Sequence, residues 1–525
     1  MSNEIRVRIA PSPTGPLHIG TARTALFNWL FARKNGGIFV LRIEDTDLER
    51  SSPKFEEDIK DSLDWLNLEW DEFYRQSERL DIYKKHLQKL LDEDKAFWCY
   101  HSVEELETEK KEQMKKKEAP RHVCEHKFQV SSFKFQNKNG IIRLKVNENS
   151  TRTIHFNDII RGTVEWQEKL IGDLSLAKDL DTPLYNFAVV VDDHETKISH
   201  VIRGEDHISN TPKQILIQEA LGIKPLWYAH LPLILGPDRT KLSKRHGATA
   251  IGEYREDGYL TEALVNFMAL LGWRPNKNPK SKIQNPNDQN KKPEDIYYID
   301  ELISSFDLKN VQKSPAVFDI KKLNWMSGYY IHQLPPEQFR AAIMPFIIKE
   351  LGVNDIHPVK SAKGGVAKQQ FNWVKDDYLD KIQHLMTERM EKLSDIKNFD
   401  YFFREPKYDR GLLNWPSYAK ASADAKALAD KQAGKKNMPG EDTKKALTLV
   451  KETLEPIDWE IFDKDYIRKK LDDLAKDKFN GDRGAVYWPL RVALTGKQGS
   501  PDPVDLLGVL PKEIILKRIE KAIIE

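Results

Sequence analysis

The chain has very little cysteine, two residues in 525. Two cannot form a disulfide framework, which excludes a small stapled secreted fold. Long apolar runs are missing as well. No stretch approaches the roughly 20 residues a membrane helix needs, and the N-terminal residues show no apolar signal-peptide core. No membrane association and a cytoplasmic location are expected. An excess of either charge is also lacking. Lys plus Arg number 83 against 81 for Asp plus Glu, a net charge of +2. Any nucleic-acid surface must then come from local patches rather than from the chain as a whole. No long-period repeat is visible. What is present is a globular composition, 40 % hydrophobic and 10 % aromatic. It is too long for one core, so about three to five domains are expected.

Apolar alternation over Ile5-Arg-Val-Arg-Ile-Ala10 reads as a strand, and Ala22, Leu26, Trp29 and Leu30 recur at helical spacing from Thr21 to about Lys34. Between them lies Pro11-Ser-Pro-Thr-Gly-Pro-Leu-His-Ile-Gly20, and beyond them a second strand, Ile38–Ile43, ends in Glu44-Asp45-Thr46-Asp47. Strand, loop, helix, strand is a βαβ unit, whose ligands sit at the carboxyl ends of the strands, where a helix N-terminus can face an anion. His18 could donate to phosphate oxygens there, and Gly20 leaves room for a flat ring. The loop alone is equally a Pro/Gly-rich turn before a helix capped by Thr21.

Residues 53–94 read as two amphipathic helices covering a sheet. From Ala96 to about Ile160 the texture changes to short strands and a Glu/Lys-rich segment, as in an insertion with its own small fold. Tyr185–Asp192 is a continuous apolar run of the kind buried parallel strands show, Ile198–Ile202 is a further strand candidate, and Pro212–Leu221 a helix. The basic loop Lys241-Leu-Ser-Lys-Arg-His-Gly247 follows, and beyond Tyr254 the chain turns mainly helical. Residues 276–293 form an Asn/Lys/Pro/Gln run that cannot build a core, and 418–440 is a small-residue, Ala/Lys/Asp-rich stretch.

Two cationic loops facing one sheet edge would surround a triphosphate, and phosphoryl and nucleotidyl transfers are catalysed mostly by positioning and charge stabilisation. On its own, the second loop is a solvated basic turn as readily as a site. Within the inserted region, Cys99-Tyr-His101 and Cys124-Glu-His126 offer four N/S ligands in two close pairs, as tetrahedral zinc requires, with His122 as a spare. Two unrelated free cysteines near histidines remain the alternative.

Pro16-Leu-His-Ile-Gly20 and Lys241-Leu-Ser-Lys-Arg245 resemble the two signature sequences of class I aminoacyl-tRNA synthetases. Arg8–Gly15, Arg23–Asn28, Arg42–Asp47, Val201–His207 and Pro489–Gly496 are similar to the bacterial type of glutamyl-tRNA synthetase. The resemblance covers nearly the whole chain. It implies a multidomain α/β plus all-α fold: a Rossmann-type parallel sheet split by an α+β insertion, followed by helical C-terminal domains. The expected boundaries are 1–95 and 185–253 for the two catalytic halves, 96–184 for an acceptor-binding insertion with a structural zinc, 254–334 for a stem-contact domain and 335–525 for an anticodon-binding domain.

By the same resemblance ATP, Mg²⁺, L-glutamate and tRNA(Glu) are the expected cofactors and partners of a monomer, and glutamate activation requires the bound tRNA. His18, Lys241 and Lys244 would be catalytic. ATP would meet Thr14, His18, Gly20, Asp206, Lys241, Ser243, Lys244 and Arg245. Glutamate would meet Arg8, Ser12, Glu44, Tyr185 and Arg203, with Glu44 on its ammonium. Bidentate arginine forks suit its carboxylates. Some relatives carry Asn four residues after the tyrosine; this chain has Val189. A glutaminyl enzyme, a truncated tRNA-modifying relative, an enzyme that also charges tRNA(Gln), and an RNA-binding paralogue without catalysis are the competing readings. His18, Gly20 and Lys244 speak against the last, Arg8 with Arg203 against an amide substrate, and the long helical part against truncation.

Overall fold

The computed structural model describes residues 4–47, 49–128, 140–275, 292–352, 378–407, 410–413 and 440–524. Most of the runs 276–293 and 418–440 therefore lie outside the described residues. The chain divides into two compact units, Met1–Met326 and Ser327–Glu525.

In the first unit, β1 (Arg6–Ile9), α1 (Ile19–Lys34) and β2 (Ile38–Ile43) form the expected βαβ unit, with β1 and β2 parallel and Arg8 opposite Val40. The turn after α1 closes on Gly36, at φ +60, and Gly37, where a Cβ would run into the Ile5 carbonyl. The helix begins earlier than Thr21 suggested. His18 is its N-cap, its side chain accepting from the Gly20 N–H. The amphipathic pattern after β2 becomes α2 (Pro53–Trp65) and α3 (Leu80–Asp92), separated by a strand that the periodicity missed, β3 (Glu72–Arg75), parallel to β2.

The inserted region contributes β4 (Ala96–Cys99), α4 (Val103–Lys115), β5 (Ile141–Leu144), β6 (Thr153–Asp158), β7 (Gly162–Gln167) and β8 (Leu174–Ala177). Strands β4, β5 and β8 make a separate antiparallel sheet. The β6–β7 hairpin instead joins the parallel part of the fold, where Tyr228 pairs with Asp158.

The expectation that Tyr185–Asp192 is a strand is wrong. It is the helix α5 (Tyr185–Glu195). Every residue from Phe187 to Asp193 is buried, so no polar stripe reveals the helical period, and an apolar run reads the same for a buried helix as for a buried strand. The next strand, β9 (His200–Gly204), begins two residues later than Ile198. Then come α6 (Thr211–Leu221) and β10 (Trp227–Leu231), the latter parallel to β9 with His230 opposite Arg203. The Ser199 N–H donates to Arg6 O at 2.9 Å, which lays β9 beside β1. The resulting order β3-β2-β1-β9-β10-β6 is that of a doubly wound sheet. Val40, Tyr83, Leu87, Phe187, Val191, Ile215 and Tyr228 share the core on one side of it.

The second unit is helical wherever its described residues carry regular structure. Helix Arg483–Thr495 contains Pro489. Buried Arg518, on helix Lys512–Ile524, donates to Leu494 O at 2.7 Å and Tyr401 O at 2.9 Å. Among the described residues no helix is long and apolar enough to cross a membrane.

Candidate active site

The carboxyl ends of β1, β2 and β9, the 11–20 loop and the N-terminus of α5 surround one cleft of about 560 Å³. Of the residues singled out by sequence, Arg8, Ser12, Thr14, His18, Gly20, Glu44, Tyr185, Arg203, Asp206 and Lys241 line it. Ser243, Lys244 and Arg245 do not. Ser243 caps the short turn Lys244–His246, Lys244 is exposed, and Arg245 donates to Asp238 Oδ2 at 2.9 Å and Thr240 Oγ1 at 2.6 Å. The basic loop is nevertheless tied to the first one. Ile19 N donates to Thr249 O at 2.8 Å and Ile251 N to Leu17 O at 2.9 Å.

His18 faces this junction. Its Nδ1 accepts from Gly20 N at 3.0 Å, so the neutral ring carries its proton on Nε2. Burial and the nearby Lys241 lower its pKa. Lys241 Nζ lies 3.7 Å from Asp206 Oδ2, both exposed.

Below the loops is a buried ionic cluster. Arg8 donates to both carboxylate oxygens of Asp193, at 3.1 and 3.3 Å. Arg42, fully buried, donates to Asp193 Oδ1 at 2.6 Å and Glu44 Oε1 at 3.1 Å. Asp192 takes Arg79 Nε at 2.7 Å, Gln76 Nε2 at 2.8 Å and the Tyr83 hydroxyl at 2.8 Å. Burial raises the pKa of Glu44, with Arg42 opposing. Arg8 therefore spends its bidentate edge on a protein carboxylate.

Arg203 differs. It is 6 % exposed, burial lowers its pKa, and it has no carboxylate within ion-pair distance among the described residues. Nε donates to His230 at 3.2 Å and Nη2 to Thr211 Oγ1 at 2.8 Å, while Nη1 has no protein partner. Buried donors seldom go unpaired, so an acceptor in the cleft would complete it. Beside it the Tyr185 hydroxyl meets His207 Nδ1 at 3.0 Å, and burial followed by Arg203 lowers His207 to about 4.

Sequence reasoning missed Arg42, Asp192, Asp193, His207 and His230. Alternation along β2 puts Arg42 and Glu44 on one face, a signal that could have found Arg42. The acidic pair was hidden by reading α5 as a strand.

A family model described as the catalytic domain of class I tRNA synthetases (E and Q) matches residues 4–325. The chain belongs to the class I tRNA synthetases of the glutamate and glutamine group. A second model, an anticodon binding domain, matches residues 365–523 of this synthetase. The synthetase is 41 % identical to the glutamate–tRNA ligase of Carboxydothermus hydrogenoformans, over 96 % of this chain and 97 % of that protein. It is 40 % identical to the one from Desulforamulus reducens, over 99 % of both. Among solved structures, a glutamate tRNA ligase from Elizabethkingia meningosepticum in complex with its amino acid is similar with a TM-score of 0.76 at 32 % identity, over 99 % of both chains.

A second constellation lies in the inserted region. Cys99, His101, His122 and Cys124 bring their ligand atoms within 4.8 Å of one another. Cys99 Sγ is 3.5 Å from His101 Nδ1 and from His122 Nε2, and Cys124 Sγ is 3.6 Å from His101 Nδ1. Zinc bonds of about 2.3 Å to sulfur and about 2.0–2.1 Å to nitrogen imply tetrahedral edges of roughly 3.6 Å, so the residues fit the ion. His122 Nδ1 also holds Glu109 Oε2 at 2.6 Å, as metal-binding histidines usually do. Hydrogen bonds from Cys124, then from His122 and His101, bring Cys99 far below the ordinary thiol range. Among the described residues the fourth ligand atom comes from His122, the spare, where the sequence pairing offered His126. The backbone of His126 lies in the turn Glu125–Phe128, and its side chain is outside the described residues.

Proposed function

We propose that this synthetase is a glutamate–tRNA ligase: it activates L-glutamate with ATP to glutamyl-adenylate and transfers the glutamyl group to the 3′ terminal adenosine of tRNA(Glu). The observation that carries this reading is the buried Arg203, with no carboxylate in ion-pair contact among the described residues and with Nη1 unpaired, placed at a strand end beside Arg8, Glu44 and Tyr185. A side-chain carboxylate suits that cation; an amide would leave its charge unmatched. Relatives named glutamate–tRNA ligase along nearly the full length support it.

In this reading glutamate's ammonium meets Glu44, its side-chain carboxylate meets Arg203, and its α-carboxylate attacks the α-phosphate of ATP, releasing pyrophosphate. Ser12 borders the amino acid, and Thr14 and Gly20 border the nucleotide. His18 donates through Nε2, and Lys241 adds positive charge where the phosphates gain negative charge. Lys244 and Arg245 join from the basic loop once a triphosphate draws it in. Mg²⁺, when bound, neutralises part of the triphosphate charge. Cys99, His101, His122 and Cys124 hold a structural Zn²⁺ that orders the inserted region for the acceptor end, 254–334 meets the stem, and 335–525 reads the anticodon.

Charging assays test this. Purified protein, ATP, Mg²⁺ and labelled glutamate are expected to yield glutamyl-tRNA with tRNA(Glu). No ester on any tRNA overturns the reading, and an ester formed with glutamine in place of glutamate overturns its specificity.

A further inference from the structure

Arg203, His230 and Asp158 stand at the carboxyl ends of three neighbouring parallel strands, β9, β10 and β6. His230 is directly opposite Arg203 in register, and Asp158 pairs across to Tyr228. His230 is 0 % and Asp158 3 % exposed. Asp158 Oδ2 lies 2.6 Å from His230 Nδ1 and also accepts the His230 backbone N–H at 3.0 Å. Its other oxygen accepts from Ile160 N at 2.9 Å and Arg161 N at 2.8 Å, so the carboxylate is fixed by the turn of the β6–β7 hairpin.

We propose that Asp158 and His230 are positioning residues for Arg203: Asp158 keeps the His230 proton on Nδ1, so that bare Nε2 accepts from Arg203 Nε and holds the guanidinium with Nη1 toward the substrate carboxylate. The inference rests on the glutamate reading of the cleft and deepens it. The logic is one of available donors. An imidazole with its proton on Nε2 would point a donor at another donor, and the guanidinium would have to swing away. Thr211 Oγ1, 2.8 Å from Nη2 and 3.1 Å from His230 Nε2, completes the triangle. All contacts Arg203 makes through Nε and Nη2 are with uncharged groups. The carboxylate of this relay, Asp158, stands behind His230 rather than on the guanidinium, where it does not compete with a ligand for Nη1. Arg8, paired directly to Asp193, shows the opposite arrangement in the same cleft. Burial works against the Asp158 carboxylate, but the His230 bond and the backbone N–H groups of Arg161 and Ile160 outweigh it and hold it ionised. Burial keeps His230 below its ordinary pKa despite Asp158, which leaves the ring neutral.

The test is ATP–pyrophosphate exchange by the full-length protein with tRNA(Glu) present, for wild type, His230→Ala, His230→Gln and Asp158→Asn, with KM for glutamate and for ATP measured separately. His230→Ala is expected to raise KM for glutamate about tenfold or more, the effect of losing one hydrogen bond that orients a charged group. KM for ATP should stay within about twofold. His230→Gln, whose amide oxygen can accept from Arg203, should recover most of the loss. Asp158→Asn should raise KM for glutamate and narrow the preference for glutamate over glutamine. A purely structural role would lower the melting temperature and kcat without separating the two KM values, and that result overturns the inference. So does an unchanged KM for glutamate. If the variants do not fold, the histidine ¹⁵N shifts of the wild-type protein decide. An Nδ1–H, bare Nε2 ring at neutral pH is expected, and an Nε2–H ring overturns the proposal. Wild-type protein with no glutamate exchange at all refutes the functional reading and this inference with it; wild-type exchange with unaffected variants refutes only the inference.

Discussion

At the scale of single residues the cleft separates two arginines that the sequence treated alike. Arg8 is committed to Asp193, whereas Arg203 Nη1 is buried and unpaired. Arg203→Gln should therefore raise KM for glutamate about a hundredfold, given the ~1.5–3 kcal/mol of a hydrogen bond to a charged group. KM for ATP should be unchanged in the same exchange assay. An equal loss for both substrates would place Arg203 in the scaffold instead. The two signature loops give a second contrast, since Lys241 lines the cleft and Lys244 lies outside it. Lys244→Ala should lower the activation rate by on the order of 2–4 kcal/mol, the usual loss of one group that stabilises transition-state charge. Affinity for tRNA, read by filter binding, should hold. Unchanged exchange would remove the basic loop from the chemistry.

At the scale of elements, what could be read from the sequence depended on whether one face of an element meets water. The first βαβ unit was legible because alternation in β1, the Pro/Gly turn after it and the short apolar run of β2 are local signals. Helix α5 was not, because it is buried on all sides from Phe187 to Asp193, and with it went the Asp192–Asp193 pair that anchors Arg42, Arg79 and Arg8. Cys99, His101 and Cys124 of the metal cluster were legible, with His122 as a spare. Cys99 and His101 are two apart, as are His122 and Cys124, a spacing that places both side chains of each pair on one side of extended chain. His126 is just as far from Cys124 on the other side, and its side chain lies outside the described residues. Elemental analysis of purified protein is expected to find one zinc per chain, lowered by Cys99→Ser and His122→Ala alike. A stoichiometry near zero in the wild type contradicts the metal proposal.

At the scale of the whole molecule, four imidazoles of the first unit, His18, His200, His207 and His230, are held below their ordinary pKa, in each case by burial first. A folded-state pKa below the unfolded value contributes stability above the unfolded value of ~6.5 and loses it as pH falls. His207, lowered to about 4, alone accounts for at most about 2 kcal/mol by pH 5. His122 acts in the opposite sense, because Cys99 and Glu109 outweigh burial and raise it. The melting temperature should therefore fall between pH 7.5 and pH 5, and a flat or rising profile would show that these rings do not enter the folding equilibrium.

The buried Arg203, with no carboxylate in ion-pair contact among the described residues, makes the central claim, that this synthetase activates glutamate, measurable in one assay. ATP–pyrophosphate exchange should be run with glutamate and with glutamine, each with and without tRNA(Glu). Exchange that depends on glutamate and is not supported by glutamine is the result expected. Exchange with glutamine alone, or with neither amino acid under any condition, would contradict the account.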